Sequence, residues 1–420
     1  MKHKVRLSNL LTLFVLVSLA SCQTAATPYS TIIPDTSATS QLTVTLTTTP
    51  QPTMTTSPTI TPMPFCGTVV PPHIAVPPTD ASKKFVKFEP PDNQVYFGFT
   101  FRLWDEIPQN AMWGDVRPFE ERICDSVKNE LSGKIPTFMV VDNWWDTFSS
   151  SLDDIIKIQA TLGSSVTPLL NWSVGVSHTI KNIPSGQDDK YIKQYALEVK
   201  QYGKPIFITL FCRGFNGNWD QGCSPKANPD LTRADFINSW QRVIDIFRQE
   251  EVTNVAWIWE PFVPPATEDW GLDDWRAYYP GDDYVDWIGA LQPGSGVPSW
   301  LNPLNQFSKD HQKPLLVEFA IRQENNNRTH QQWVNWLTTM FDYVKSHPQI
   351  KAISYINIKS HPDPITNSSD RIFLYDRKVY YVANVNDGDQ RLIAGGDDIR
   401  ALFADRIADS RYISTLVVAP

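Results

Sequence analysis

Several short apolar runs in this chain end in residues able to bind or act on a polar ligand. YFGFTF (96–101) leads into Arg102 and Trp104, and TFMVV (137–141) into Asp142, Trp144 and Trp145. VTPLLNW (166–172) carries Asn171 and Trp172, while PIFITLF (205–211) leads into Arg213, Asn216, Asn218 and Trp219. VAWIW (255–259) closes on Trp259 and is followed by Glu260, and PLLVEFA (314–320) holds Glu318. Sugars present apolar faces that stack on aromatic rings, and hydroxyls that pair with Asn, Arg and carboxylates. Brought to one rim, these residues would form a carbohydrate cleft. Any one of the tryptophans alone would read as packing; their clustering at the ends of apolar runs carries the reading.

The elements that must position them follow from the hydrophobic pattern. With DWIGAL (286–291) and AISYINI (352–358), the apolar runs number eight. They are continuous rather than alternating, as in strands covered on both faces. Helical patterns separate them. Thr232 with Asp235, and Thr329 with Gln332, form capping boxes ahead of apolar stripes at Phe236, Trp240, Val243, Ile244 and Phe247, and at Trp333, Trp336, Leu337 and Met340. Ser151 with Asp154 is expected to open a third helix, and residues 191–202 to form a fourth. Eight strand–helix units in about 300 residues predict an α/β fold, a (β/α)8 barrel, whose active face lies at the C-terminal ends of the strands. A doubly wound open sheet is the alternative, but no Gly-rich phosphate loop follows the first strand.

The 420 residues are 20% charged and 41% hydrophobic, with a formal charge of −8. Lys2, Lys4 and Arg6 precede an apolar stretch from Leu10 to Leu19, too short to span a membrane, and then Ala20-Ser21-Cys22. This reads as a secretory leader over residues 1–21. Its removal would take three positive charges and leave −11, an acidic chain without a basic run and a poor partner for nucleic acid. LASC resembles a bacterial lipobox, which implies lipidation of Cys22 and attachment to a cell membrane or outer membrane, facing away from the cytoplasm. Residues 23–64 are rich in Thr, Ser and Pro with Asp35 as their one charge, an extended or disordered linker. Residues 65–420 are the expected globular domain, read as a monomer. Cys66, Cys124, Cys212 and Cys223 allow three disulfide pairings in an exported chain, of which Cys212–Cys223 would close a short loop. No paired-His metal spacing and no Ser nucleophile elbow appear, so neither a metal nor a cofactor is expected.

The segments DKYIKQYALEVKQYGKPIFI (189–208), FNGNW (215–219), FINSWQRVIDIFRQEEVTNVAWIW (236–259), YYPGDDYVDWIG (278–289) and KPLLVEF (313–319) resemble glycoside hydrolase family 26. The likeness covers roughly residues 95–415. It implies a (β/α)8 barrel and, by analogy with a family of largely β-mannanases, cleavage with retention. In the family, a Glu after strand four serves as acid/base and a Glu at the end of strand seven as nucleophile. Glu318 matches the nucleophile, and Asn216, Gly217 and Trp219 match the strand-four motif. That motif, Gly-His-Glu-Met-Asn-Gly in the family, stands here as CRGFNG: Cys212, Arg213 and Gly214 replace Gly, His and the acid/base Glu. Other departures are Asn171-Trp172-Ser173 for Trp-Glu-Pro, Glu260-Pro261 for Ser-Pro and Leu291-Gln292-Pro293 for Asp-Gly-Tyr.

Gly214 cannot donate a proton, and general acid catalysis is worth roughly 10²–10⁴-fold. Two expectations follow. One is a retaining hydrolase of β-mannan or a related β-linked glycan, with Glu318 as nucleophile and Glu260 as a relocated acid. The other is a polysaccharide-binding lipoprotein that has lost catalysis, in which Glu260 pairs with Arg213 or Arg102. In both, Arg213, Asn216, Trp144, Trp172, Trp219 and Trp259 are expected to meet the glycan. Arg213 is expected to hold Glu318 ionised by lowering its pKa. Asp142 and Asp220 are weaker candidate acids.

Overall fold

The computed structural model describes residues 66, 86–100, 119–174, 178–217, 222–263, 272–293, 298–320, 329–357, 370–375, 378–383, 392 and 396–418. All lie in the second of two units, residues 61–420. In chain order the first elements are β1 (Val95–Thr100), α1 (Phe119–Asn129), β2 (Phe138–Trp144), α2 (Phe148–Leu162), β3 (Thr167–Ser173), α3 (Asp189–Tyr202) and β4 (Ile206–Phe211). There follow α4 (Arg233–Gln249), β5 (Val255–Trp259), β6 (Trp287–Pro293), α5 (Asn302–Asp310), β7 (Leu315–Ala320), α6 (His330–Ser346) and β8 (Ile350–Ile356). The chain then adds a hairpin of β9 (Asp370–Tyr375) and β10 (Lys378–Ala383), then α7 (Asp397–Ala408) and β11 (Tyr412–Ile413).

Strands β1 to β8 pair in sequence order, all parallel, and β8 pairs back with β1 over Tyr96↔Ala352 to Thr100↔Ile356. The sheet is thereby closed into a (β/α)8 barrel. The C-terminal β11 adds to the start of β1 at Val95↔Tyr412 and Tyr96↔Ile413. The eight expected strands are all present, within three residues of the expected bounds.

Side-chain alternation along each strand separates two buried clusters. One fills the barrel and includes Tyr96, Phe138, Val140, Leu169, Phe207, Ile258, Trp287 and Leu316. The other lies between strands and helices and includes Phe97, Phe99, Met139, Leu170, Trp172, Trp257 and Trp259 with the helical stripes. Each large side chain removed from water contributes roughly 1.5–3 kcal/mol. Gly98 faces inward, and the Phe138 ring occupies the space a Cβ there would need.

The capping boxes at Thr232/Asp235 and Thr329/Gln332 are formed, with side chain and backbone bonded in both directions. The Ser151/Asp154 pair does not open a helix. Helix α2 begins one turn earlier, after Thr147, and the buried Ser151 hydroxyl receives a hydrogen bond from Asn143 Nδ2. Tertiary contact outweighs a local capping signal there. Cys66 is disulfide-bonded to Cys124 of α1 and donates its backbone N–H to Thr161 of α2, so the start of the domain is tied to two barrel helices. No helix among the described residues is long and apolar enough to cross a membrane.

Gly98→Ala should lower stability by about 1–3 kcal/mol, because a barrel-filling ring must move. Phe138→Leu in the Gly98→Ala background should recover part of that loss. Denaturant midpoints of the four chains of this cycle measure both effects.

Candidate active site

Inward-facing positions at the C-terminal ends of the strands converge on one cation. The even-numbered residues of β2, β5 and β7 face the barrel, which places Asp142, Glu260 and Glu318 there. On β3 the odd-numbered residues face in, which places Asn171. Strand β4 departs from simple alternation. Phe207 and Thr209 share the inward register, but Phe211 takes a left-handed backbone (φ 72°). Its ring turns outward beneath α4, against Phe236 and Trp240. A non-Gly residue in that conformation costs on the order of 1–2 kcal/mol. The turn allows Arg213, two residues on, to enter the barrel mouth.

Arg213 Nη2 lies 3.0 Å from Glu318 Oε1, and its Nε lies 3.6 Å from Glu260 Oε2. The Nε–H donates to Asn171 Oδ1 at 2.8 Å, and Asn171 Nδ2 donates to Asp142 Oδ1 at 2.9 Å. Both glutamate side chains are wholly buried, whereas that of Arg213 retains 16% exposure. Burial pushes the Glu260 carboxyl up to about 8, a shift opposed by Arg213 and reinforced by the charge of Glu318. Burial also raises Glu318, with Arg213 pulling down and Asp142 adding to the rise. The expectation that Arg213 lowers Glu318 below its ordinary value is therefore corrected: the pull exists, but desolvation exceeds it. The shorter ion pair nevertheless makes Glu318 the carboxylate best supported in ionised form. Two carboxyls with such unequal support are pushed toward different protonation states.

The surrounding loops are fixed by their own contacts. Cys212 is disulfide-bonded to Cys223, the pairing expected from proximity. Closing a loop of this size restricts the unfolded chain by about 2–3 kcal/mol. Gly214 has φ 64° and donates its N–H to the Glu260 carbonyl at 3.0 Å. Gly289 of β6 leaves room for Glu260: a Cβ there would lie 3.0 Å from Glu260 Cβ and Cγ.

Three expected ligand contacts are corrected. Asn216 is buried, its Nδ2 donating to the Phe262 and Asp273 carbonyls and its Oδ1 accepting from Phe262 N–H; it staples the β4 loop to the β5 loop. Trp172 faces outward, stacked on Tyr195 of α3 with ring centroids 3.8 Å apart. Trp259 also faces outward, among Phe215, Trp275, Tyr279 and Phe307. Both tryptophans stand one residue out of register with the inward set. Trp144 lies in β2 with its side chain outside the described residues, as Arg102, Trp219 and Asp220 are entirely. Glu260 and Arg213 are brought together as the pairing alternative anticipated, and Asp142 reaches the site through Asn171. Thr209 and Gly289 were not foreseen; strand alternation was the signal that would have found them.

The unfolded Glu260 carboxyl ionises near 4.5 and the folded one near 8. Between those values the unfolded chain binds fewer protons, so this group makes stability fall as pH rises. Glu260→Gln should flatten that fall, and the difference in melting temperature between pH 5 and pH 7.5 should be smaller than in the unaltered chain.

No protein-family model matches the chain. It is 26% identical to an endoglucanase H of Acetivibrio thermocellus over 276 residues, covering 61% of this chain and 28% of that one. It is 23% identical to a β-1,3-xylanase of an Alcaligenes species over 212 residues, covering 46% and 43%. The chain thus spans less than half the length of these curated relatives. Among solved structures, a family 26 β-mannanase of Bacteroides ovatus superposes with a TM-score of 0.47 and 15% identity, over 76% of this chain and 90% of that one. On a closed (β/α)8 barrel, with its motifs at 189–208, 215–219 and 313–319, the chain resembles glycoside hydrolase family 26.

Proposed function

We propose that this chain is a glycan-active protein of glycoside hydrolase family 26 type, acting on β-mannan or a related β-linked glycan by a retaining mechanism. The observation that carries the reading is the pair of buried carboxyls, Glu260 and Glu318, held at the barrel mouth by one guanidinium. Retention requires two carboxyl groups close together, about 5–5.5 Å apart. Glu318, the better paired, is the nucleophile that attacks the anomeric carbon. Glu260, held in protonated form by burial, gives its proton to the departing glycosidic oxygen. Once Glu318 is esterified its charge is gone, and Arg213 then supports the ionised form of Glu260. The Glu260 carboxylate next takes a proton from the water that cleaves the ester. The names of the relatives support a polysaccharide or oligosaccharide ligand.

A second reading, a polysaccharide-binding protein without catalysis, is favoured by the missing side chain at Gly214 and the complete burial of both glutamates. The two part on substrates that differ in leaving group. The full-length chain should hydrolyse both an aryl β-mannoside oligosaccharide and intact mannan. Glu318→Ala should abolish both activities. Glu260→Gln should lower mannan cleavage by roughly 10²–10⁴-fold; with the aryl substrate, whose leaving group needs no acid, it should keep the initial burst of aryl release and slow only the later turnover, in which Glu260 acts as base. Turnover of neither substrate, with retention of the chain on immobilised mannan, would establish the binding reading.

The domain plan supporting this role is a leader (1–21), a Thr/Pro-rich tether (22–64) and a monomeric catalytic unit (65–420), anchored through acylated Cys22 to the cell membrane or outer membrane and facing away from the cytoplasm. Two or three acyl chains on one residue give stable anchoring. Cells expressing the chain should incorporate labelled palmitate into it, and Cys22→Ala should abolish the label.

A further inference from the structure

Among the described residues, two acceptors stand near the Nε–H of Arg213. Asn171 Oδ1 takes the hydrogen bond at 2.8 Å, and Glu260 Oε2 stands off at 3.6 Å. Asn171 is 7% exposed, and its amide is oriented from behind: Nδ2 donates to Asp142, so Oδ1 faces Arg213. A guanidinium is a rigid planar fork, so fixing Nε also fixes where Nη2 points, which here is Glu318 at 3.0 Å. The charged groups facing the guanidinium are Glu318 from β7, Glu260 after β5 and Asp142 from β2. Those facing Glu260 are Arg213 and Glu318, with the Thr209 hydroxyl from β4 alongside.

We propose that Asn171, anchored by Asp142, is a positioning residue that keeps the Nε–H of Arg213 away from Glu260, so that the guanidinium serves Glu318 and leaves Glu260 the weaker-paired carboxyl. The catalytic consequence rests on the glycosidase reading above; the division of the cation does not. Without the Asn171 oxygen, Nε–H turns to the next acceptor, Glu260, and forms with it a hydrogen-bonded ion pair. A carboxyl so paired gives up its proton more readily, and an acid that has lost its proton cannot assist departure of a sugar.

The test is an infrared titration of the carboxyl bands of the full-length chain, which follows the last proton released by the Glu260–Glu318 pair. In the unaltered chain that step is expected near pH 8. Asn171→Ala should lower it by about one pH unit or more, the usual effect of gaining an arginine partner. A step that stays in place or rises overturns the proposal. In an Arg213→Lys background Asn171→Ala should have no effect, and a persisting shift would also overturn it. On mannan, Asn171→Ala should move the alkaline limb of kcat down by the same interval with KM held; a kcat loss with an unmoved limb counts against positioning. If the unaltered chain hydrolyses nothing yet the titration step moves, the glycosidase reading fails and the positioning inference stands. If it hydrolyses mannan and the step does not move, the reverse holds. Should Asn171→Ala fail to fold, the near-isosteric Asn171→Leu carries the same titration test, with the same outcome required.

Discussion

The barrel mouth is built around one buried cation that two buried carboxyls must share. Taking any of these charges out of water alone would cost several kcal/mol, and only their mutual proximity offsets it. Among the described residues, removing Arg213 would leave the two acids without the cation that pairs with both, while removing one acid would change the state of the other. Three carboxyls, Asp142 included, surround one guanidinium. Such a set does not favour full ionisation: burial raises both glutamates, and Glu260 is the less closely paired of the two.

The rest of the strand-end region serves to deliver that guanidinium. Phe211 bends into a left-handed conformation so that its ring joins the helix layer while Arg213 enters the barrel. The Cys212–Cys223 disulfide and the Asn216 staple hold the loop on either side of the arginine. On β6, the strand beside β5, Gly289 makes room for the stem of Glu260. These are separate interactions of ordinary strength, and their joint effect is to fix a flexible four-bond side chain in one orientation. Precision of that kind is what an electrostatic site requires, because interaction energy at low dielectric changes steeply with distance.

Much of this was legible in the sequence. Eight unbroken apolar runs and two capping boxes suffice for the barrel, since continuous runs mark strands buried on both faces. The convergence of Arg213, Glu260 and Glu318 follows once strand ends are taken to meet at one face. The tryptophans were misread because nearness to a strand end is only half of the condition. Trp172 and Trp259 stand one residue from inward-facing Asn171 and Glu260, and a period of two sends them to the helix layer. Asn216 was misread for another reason: its motif match says nothing about whether the amide faces a ligand or two backbone segments. Which carboxyl holds the proton was beyond sequence, because desolvation is a property of everything packed around a group.

Gly214 and Glu260 are joined as one structural unit. The glycine N–H donates to the Glu260 carbonyl, so the β4 and β5 loops are bonded to each other at Gly214. At φ 64° the backbone of Gly214 lies in the region that glycine enters freely and other residues at a cost of about 1–2 kcal/mol. A glutamate restored there would have to strain the loop or break that bond, and with it the support of the residue proposed to replace it. The bare position at the end of one strand and the carboxyl at the end of the next are thus linked through backbone geometry. Arg213 joins them on the side-chain level, since it stands beside both carboxyls and immediately precedes the glycine. Here the cation, the Asn171 amide and both carboxyls are held in one set of contacts, so that none of them can be moved without disturbing the others.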